Sequence, residues 1–477
     1  MIHKNGFANI YFDQCKNKNH GDTTMKQIDF EHGNITQNIF MAAIPMLVAQ
    51  VLSLLYNIVD RIYIARIPGI GTTALGAVGL CFPVITIITA FSNLFGSGGA
   101  PLFSIERGRG NQENAGRILN TSFSMLSMAS VILMLVGLLF ARPILTLFGA
   151  SEDALAYAYP YLMIYLLGTF PSMIATGMNP FINAQGYATI GMLTVALGAV
   201  ANLILDPVFI FVFGLGIQGA AIATILSQFL SAAFVLFFLH FRAEFKIRLL
   251  RRTEFASCLR YAKSIVSLGT ASFIMQLTNS LVSICCNNVL ADTGGDLYVS
   301  VMTIISSVRQ MVDTPIFAIT EGSSPIISYN YGARRPDRVR KAGVTMGILA
   351  LAYTAIMWGV ISLFPLPLIS IFSSDASLTA DAIPALKLYF AAFIFQALQY
   401  IGQTFFKSLN KKKQAIFFSL LRKVIIVVPL TYLFPYAFGM GANGVFLAEP
   451  VSNVIGGTLC FVVMLLTVLP ELKRMER

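Results

Sequence analysis

Five carboxylates interrupt long apolar stretches of this chain: Asp60, Asp206, Asp313, Glu321 and Glu449. In hydrocarbon an ionisable side chain costs at least about 2.5 kcal/mol on insertion scales, so it rarely persists without a partner or a task. Asp60 lies about 20 residues into the apolar run 37–65, and Asp206 about 18 into the run 188–213. Asn202 precedes Asp206 by one helical turn, on the same face. Thr224 lies some seven residues into the next run, which crosses in the opposite direction. All four therefore reach a similar depth and are expected to converge on one oxygen-rich cluster. Two carboxylates with amide and hydroxyl oxygens suit a hard cation such as Na⁺. Alternatively, two neighbouring acids share and carry a proton. The plainer reading, in which each acid only makes a structural hydrogen bond or sits at the interface, has to meet the cost of burying both.

In the second half, Arg309 and Asp313 are spaced i,i+4 and are expected to form an intrahelical ion pair. Charge neutralisation inside a bundle is a sufficient reason for such a pair, and a gate or second coupling site is the sharper one. Glu321 falls near the end of its run, where water reaches it. Gln276, Gln396, Gln399 and Tyr400 are polar positions that would line a substrate cavity. The 19 Met and 38 Phe residues would make that cavity adaptable to varied flat apolar ligands. No Cys/His pair has metal-ligand spacing and no Gly-rich phosphate loop appears, which argues against an ATP-driven pump in this chain and against an enzyme. The six cysteines, among them Cys15, Cys285 and Cys286, show no disulfide framework.

Elements long enough to hold these residues cross a membrane. The sequence is 56% hydrophobic and only 12% charged, against about a quarter charged in a soluble domain. Apolar runs appear at about 37–65, 72–100, 119–141, 155–180, 188–213 and 217–241, then at about 262–291, 297–325, 342–364, 382–408, 413–437 and 443–469. Each spans a bilayer as a helix, because continuous apolarity over about 20 residues excludes an alternating barrel strand. With the N-terminus cytoplasmic, 28 of the 33 basic residues fall on one side, leaving Arg61, Arg66, Arg142, Arg309 and Lys387 for the membrane and the outside. That tally counts Lys407, Arg422 and Lys423 with the loops. The asymmetry is the positive-inside signature and puts both termini in the cytoplasm. The net charge of +11 thus reflects basic loops and lipid headgroup contact rather than nucleic acid, and the Lys411–Lys413 run reads the same way.

The chain also repeats itself. Pro101, Ser104 and Gly108 recur as Pro325, Ser328 and Gly332, 224 residues later; Gly214, Gly216 and Gly219 recur as Gly439, Gly441 and Gly444, 225 later. Six helices per half is an even number, so the halves share polarity: a parallel repeat about the membrane normal. The fold class is therefore an all-α polytopic membrane protein, twelve transmembrane helices in two six-helix bundles. Its expected organisation is a polar cytoplasmic leader at 1–36, a first lobe at 37–241, a basic linker at 242–261, a second lobe at 262–469 and a tail at 470–477. Met25 is an alternative start. At the repeat offset Thr224 maps to Glu449, Asp206 to Thr431, and Asp60 near Cys286, so the paired acids belong to the first lobe alone.

These residues resemble a known family. AIPMLVAQVLSLLYNIVDRIYIARI, with Pro45 and Asp60, is similar to the first helix of the multidrug and toxic compound extrusion (MATE) transporters. NLILDPVFIFVFGLGIQGAAIAT and EGSSPIISYNYGARRPDRV resemble the family's fifth and sixth helices and the motif after its eighth. The likeness runs from about residue 35 onward and is nearest to the MepA-like bacterial branch. It implies a V-shaped pair of bundles and efflux of amphipathic, often cationic organic compounds by exchange with Na⁺ or H⁺. It also implies a cation site at Asp60, Asn202, Asp206 and Thr224, with Tyr56 and Tyr161 in the surrounding network and a coupling bend at Pro45. Glu321, Gln276 and Gln396 or Gln399 depart from residues seen in branches of the family. A monomer in the bacterial plasma membrane, with no cofactor beyond the coupling ion, is expected. The rivals are a lipid-linked oligosaccharide flippase of the same superfamily and a transporter of one cationic metabolite. Arg309, taken with Lys387 as the scarce buried basic residues, disfavours the flippase.

Overall fold

The computed structural model describes residues 27–148, 152–248, 255–372 and 375–476. Most of the leader, with Cys15 and Met25, lies outside the described residues, as do Arg251, Arg252 and Arg477. Among the described residues there is no β-strand. Long apolar helices form because only a helix satisfies every backbone group in hydrocarbon. Nine are long and apolar enough to cross a membrane, and two bent pairs cross as one span each. The segment 296–332, which carries Arg309, Asp313 and Glu321, completes twelve.

In chain order the spans are α1 (Ile35–Ala65), α2 (Thr73–Gly108), α3 (Gln112–Leu147), α4 (Ala154–Leu167 with Thr169–Ala184), α5 (Ala188–Val212) and α6 (Gly216–Arg242). The second set is α7 (Cys258–Gly295), α8 (296–332), α9 (Pro336–Leu363), α10 (Leu378–Tyr389 with Phe393–Ser408), α11 (Lys412–Ala437) and α12 (Ala442–Met475). The two bent spans, α4 at 55° and α10 at 49°, are repeat counterparts. Gly295, with φ of +69°, separates α7 from α8.

The repeat is visible in local geometry. Gly214 and Gly216 have φ of +66° and +55°, and Gly439 and Gly441 have +65° and +55°. The same left-handed turn therefore joins α5 to α6 and α11 to α12, where an L side chain would be strained. Asn179 Nδ2 donates to the Gly191 carbonyl and Thr194 Oγ1 at 2.8 and 2.7 Å. Its counterpart Gln403 donates to the Ala415 carbonyl and Ser419 Oγ, both at 3.2 Å.

The lobes close on each other at the linker end. A β-carbon at Gly108 would stand 2.0 Å from the Tyr329 carbonyl oxygen, and one at Gly332 would stand 2.0 Å from that of Ile105. Since Ile105 and Tyr329 are themselves counterparts, this contact straddles the axis relating the lobes. Deeper in, Gly269 meets Leu94 and Gly322 meets Ala43 in the same backbone-to-backbone manner. The Phe91–Phe273 ring pair, with centroids 5.1 Å apart, caps the seal at mid-depth. Residues 27–34 cross its base: the Ile28 amide donates to the Gly186 carbonyl, while Arg338 donates to the carbonyls of Phe30 and Gly33. Beyond Phe91 no hydrogen bond or ring pair joins the lobes among the described residues.

Candidate functional site

In the first lobe, α5 delivers Asn202 and Asp206 to one face. Asn202 Nδ2 donates to Asp206 Oδ1 at 3.0 Å, and both residues are buried. Asp206 is followed by Pro207 and a π-helical turn, Val208–Val212, a local widening common beside functional residues. Asp60, on α1, brings its carboxyl within hydrogen-bonding reach of that of Asp206. Three buried acceptor atoms here have no hydrogen-bond donor: Asp60 Oδ1, Asn202 Oδ1 and Asp206 Oδ2. Unpaired buried acceptors are uncommon and costly, and three together suit a cation or a shared proton.

Other expected members surround this group. Tyr161 is buried and stacks on Tyr165 with ring centroids 6.2 Å apart, while Tyr56, one turn before Asp60, is half-buried. Thr224 donates its hydroxyl to the Ala220 carbonyl at 2.9 Å and makes no hydrogen bond to either acid. Tyr165 and Gln228 were not foreseen. Gln228 donates to the Tyr165 hydroxyl at 3.4 Å and leaves its own Oε1 unpaired. Their signal lay in helical spacing, four residues beyond Tyr161 and Thr224. Pro45 interrupts the ladder of α1 within an unbroken helix.

The second lobe inverts the charge. Arg309 Nε donates to Asp313 Oδ2 at 3.3 Å, the expected i,i+4 pair, and Nη1 donates to the Tyr389 hydroxyl at 2.5 Å. Its Nη2 also reaches Glu449 Oε1 at 3.0 Å. Glu449 receives Lys423 Nζ on both oxygens, at 3.0 and 3.2 Å, and Arg422 Nη1 stands 3.6 Å away while donating to Asn453 Oδ1. Arg422 and Lys423 are only 8% and 2% exposed. They were counted with the cytoplasmic loops, and the structure corrects this: they sit inside α11 on a π-helical turn, Leu421–Val427. Lys407 is likewise buried, bonded to Glu321, which is therefore paired rather than simply wet. The scarcity of buried bases that counted against a lipid-linked oligosaccharide flippase does not hold.

The polar residues expected to line a cavity behave differently from one another. Gln396 is buried and donates to both Asp313 oxygens at 3.0 Å. Gln399 is buried and donates to the Phe418 carbonyl at 3.3 Å. Both belong to the lobe's interior, while Gln276 and Tyr400 are half-buried. Near the position that Asp60 maps to, Cys286 Sγ lies 3.9 Å from Thr431 Oγ1, the counterpart of Asp206, so no carboxylate pair recurs in the second lobe. The five described cysteines are all free, and no cluster of three His, Cys, Asp or Glu side chains suited to a metal occurs among the described residues.

Two six-helix lobes related by a parallel repeat, with ionisable groups held at mid-membrane, define a membrane transporter rather than an enzyme. The chain belongs to the MatE family, whose model matches it twice, over residues 45–208 and 271–433, once per lobe. It is 26% identical over 427 residues to a protein of Shewanella oneidensis named FAD transporter, covering 88% of this chain and 92% of that one. It is 24% identical over 416 residues to the multidrug export protein MepA of Staphylococcus haemolyticus, covering 86% and 89%. A solved structure of MATE in the bent conformation superposes with a TM-score of 0.87 at 23% identity, covering 95% of this chain and all of that one.

Proposed function

We propose that this chain is a cation-coupled antiporter that exports amphipathic, often cationic compounds across the bacterial plasma membrane, with both termini cytoplasmic. The observation that carries this reading is the Asp60–Asp206 pair with its unpaired oxygens. Na⁺ or H⁺ entering there favours one packing of the first lobe, and drug binding favours the other. Each ligand shifts that equilibrium only by its differential affinity for the two states. The seal at the linker end then corresponds to an outward-open conformation. MepA-named relatives support drug export, and the relative named FAD transporter makes a specific metabolite the second reading.

The test is ethidium extrusion from proteoliposomes under an imposed Na⁺ or H⁺ gradient, comparing the parent with Asp60→Asn and Asp206→Asn. One gradient should drive extrusion in the parent, and both variants should lose it while remaining folded. If neither gradient moves ethidium, drug export is wrong; if both variants still couple, the coupling site is.

A further inference from the structure

The second lobe carries an unbalanced charge in the middle of the membrane. Arg309, Arg422 and Lys423 face Asp313 and Glu449, three cations against two carboxylates. Glu449 alone accepts from or contacts all three cations, so its oxygens are used up. A buried charge without a partner is strongly unfavourable. Besides its bond to Asn453 and its contact with Glu449, the Arg422 side chain donates no hydrogen bond to the described residues.

The cluster is reachable at one edge, since Arg422 and Lys423 keep only 9% and 3% of their side chains exposed. Arg309 and Asp313 keep 19% and 17% of their side chains exposed. On the same helix Thr303, Ser306 and Gln310 are exposed, and on α7 of the same lobe so are Asn279, Ser283 and Asn287. Exposed polar stripes at these depths face water rather than lipid, because lipid-facing positions are apolar. Leu281 and Met311 are exposed among them, giving the polar path an apolar margin.

We infer that the Arg309–Arg422–Lys423 cluster is an anion-accepting substrate site, taking the phosphate or carboxylate of an amphipathic organic anion from the cleft. Guanidinium forks match both oxyanions, and Arg422 has donors left to give. The inference rests on the transport reading above but concerns binding, so it is tested without a gradient. It assigns the two lobes opposite tasks: the first takes the coupling cation and the second takes the anionic end of the substrate.

The experiment measures fluorescence binding to the purified protein in detergent with two matched pairs of probes. FMN against riboflavin reports phosphate, and fluorescein against its methyl ester reports carboxylate. At least one anion should bind about tenfold or more tighter than its partner. Arg422→Gln should abolish that preference, and Arg422→Lys should keep most of it. Should Arg422→Gln fail to fold, Gln310→Glu at the mouth replaces it and should weaken the anion severalfold. Equal affinities within both pairs would overturn the site, as would a preference that survives Arg422→Gln or, where that variant does not fold, Gln310→Glu; a neutral Lys423 would give the first result. Loss of ethidium extrusion with anion preference intact would sink drug export and leave this site standing.

Discussion

At the scale of the residue, Asn202 has a part that the acids alone do not explain. Its amide donates to Asp206 Oδ1 and leaves its own carbonyl oxygen unpaired. Asn202→Ala removes one ligand and frees Asp206 to rotate, while leaving both charges in place. The expected result is that coupling survives but needs about tenfold more of the driving cation, in the range lost with a single supporting group. Extrusion rate against cation concentration checks this, and an unchanged half-saturation would remove Asn202 from the site. The i,i+4 spacings made Asn202–Asp206 and Arg309–Asp313 legible from sequence. Arg422 and Lys423 were misplaced although they fall inside the run drawn at 413–437, because the adjacent Lys411–Lys413 made them read as more of the same loop. Their real partner, Glu449, is 26 residues from Lys423, beyond any local pattern.

At the scale of the element, the helices depend on close backbone approach where they cross. Span limits were legible because burial in lipid demands long apolar runs. The crossings were not, since nothing in a glycine says which helix will press on it. Gly269 is the sharpest case: its β-carbon would lie 1.8 Å from the Leu94 carbonyl oxygen, a backbone atom that cannot swing aside. Gly269→Val must therefore push α7 off α2. Overpacking of this kind costs about 1–3 kcal/mol, enough to shift a two-state equilibrium several- to a hundredfold. We expect the variant to fold, to lose the sealed state and to transport at a small fraction of the parent rate. Parent-like extrusion would mean that the seal tolerates separation of these helices.

At the scale of the whole molecule, the paired contacts across the two lobes specify one conformation and, by symmetry, hint at its opposite. Contacts that close one end are made by the linker-end halves of α1, α2, α7 and α8, whereas Gln310 and Asn287, farther along these helices, are exposed. Alternating access requires that these two sets exchange roles. The cysteines make this directly measurable, since all five described ones are buried and Cys15 can be replaced by serine. A cysteine introduced at Gln310 should react with a membrane-impermeant maleimide added outside intact cells, and one at the fully buried Ser104 should not. Conditions that load the first-lobe acids with their cation should change the Gln310→Cys labelling rate, and Asp206→Asn should remove that response. Labelling of Gln310→Cys only in inverted vesicles would reverse the assigned orientation. A rate indifferent to both Na⁺ and pH would separate the acids from the conformational change and leave the transporter without its proposed coupling.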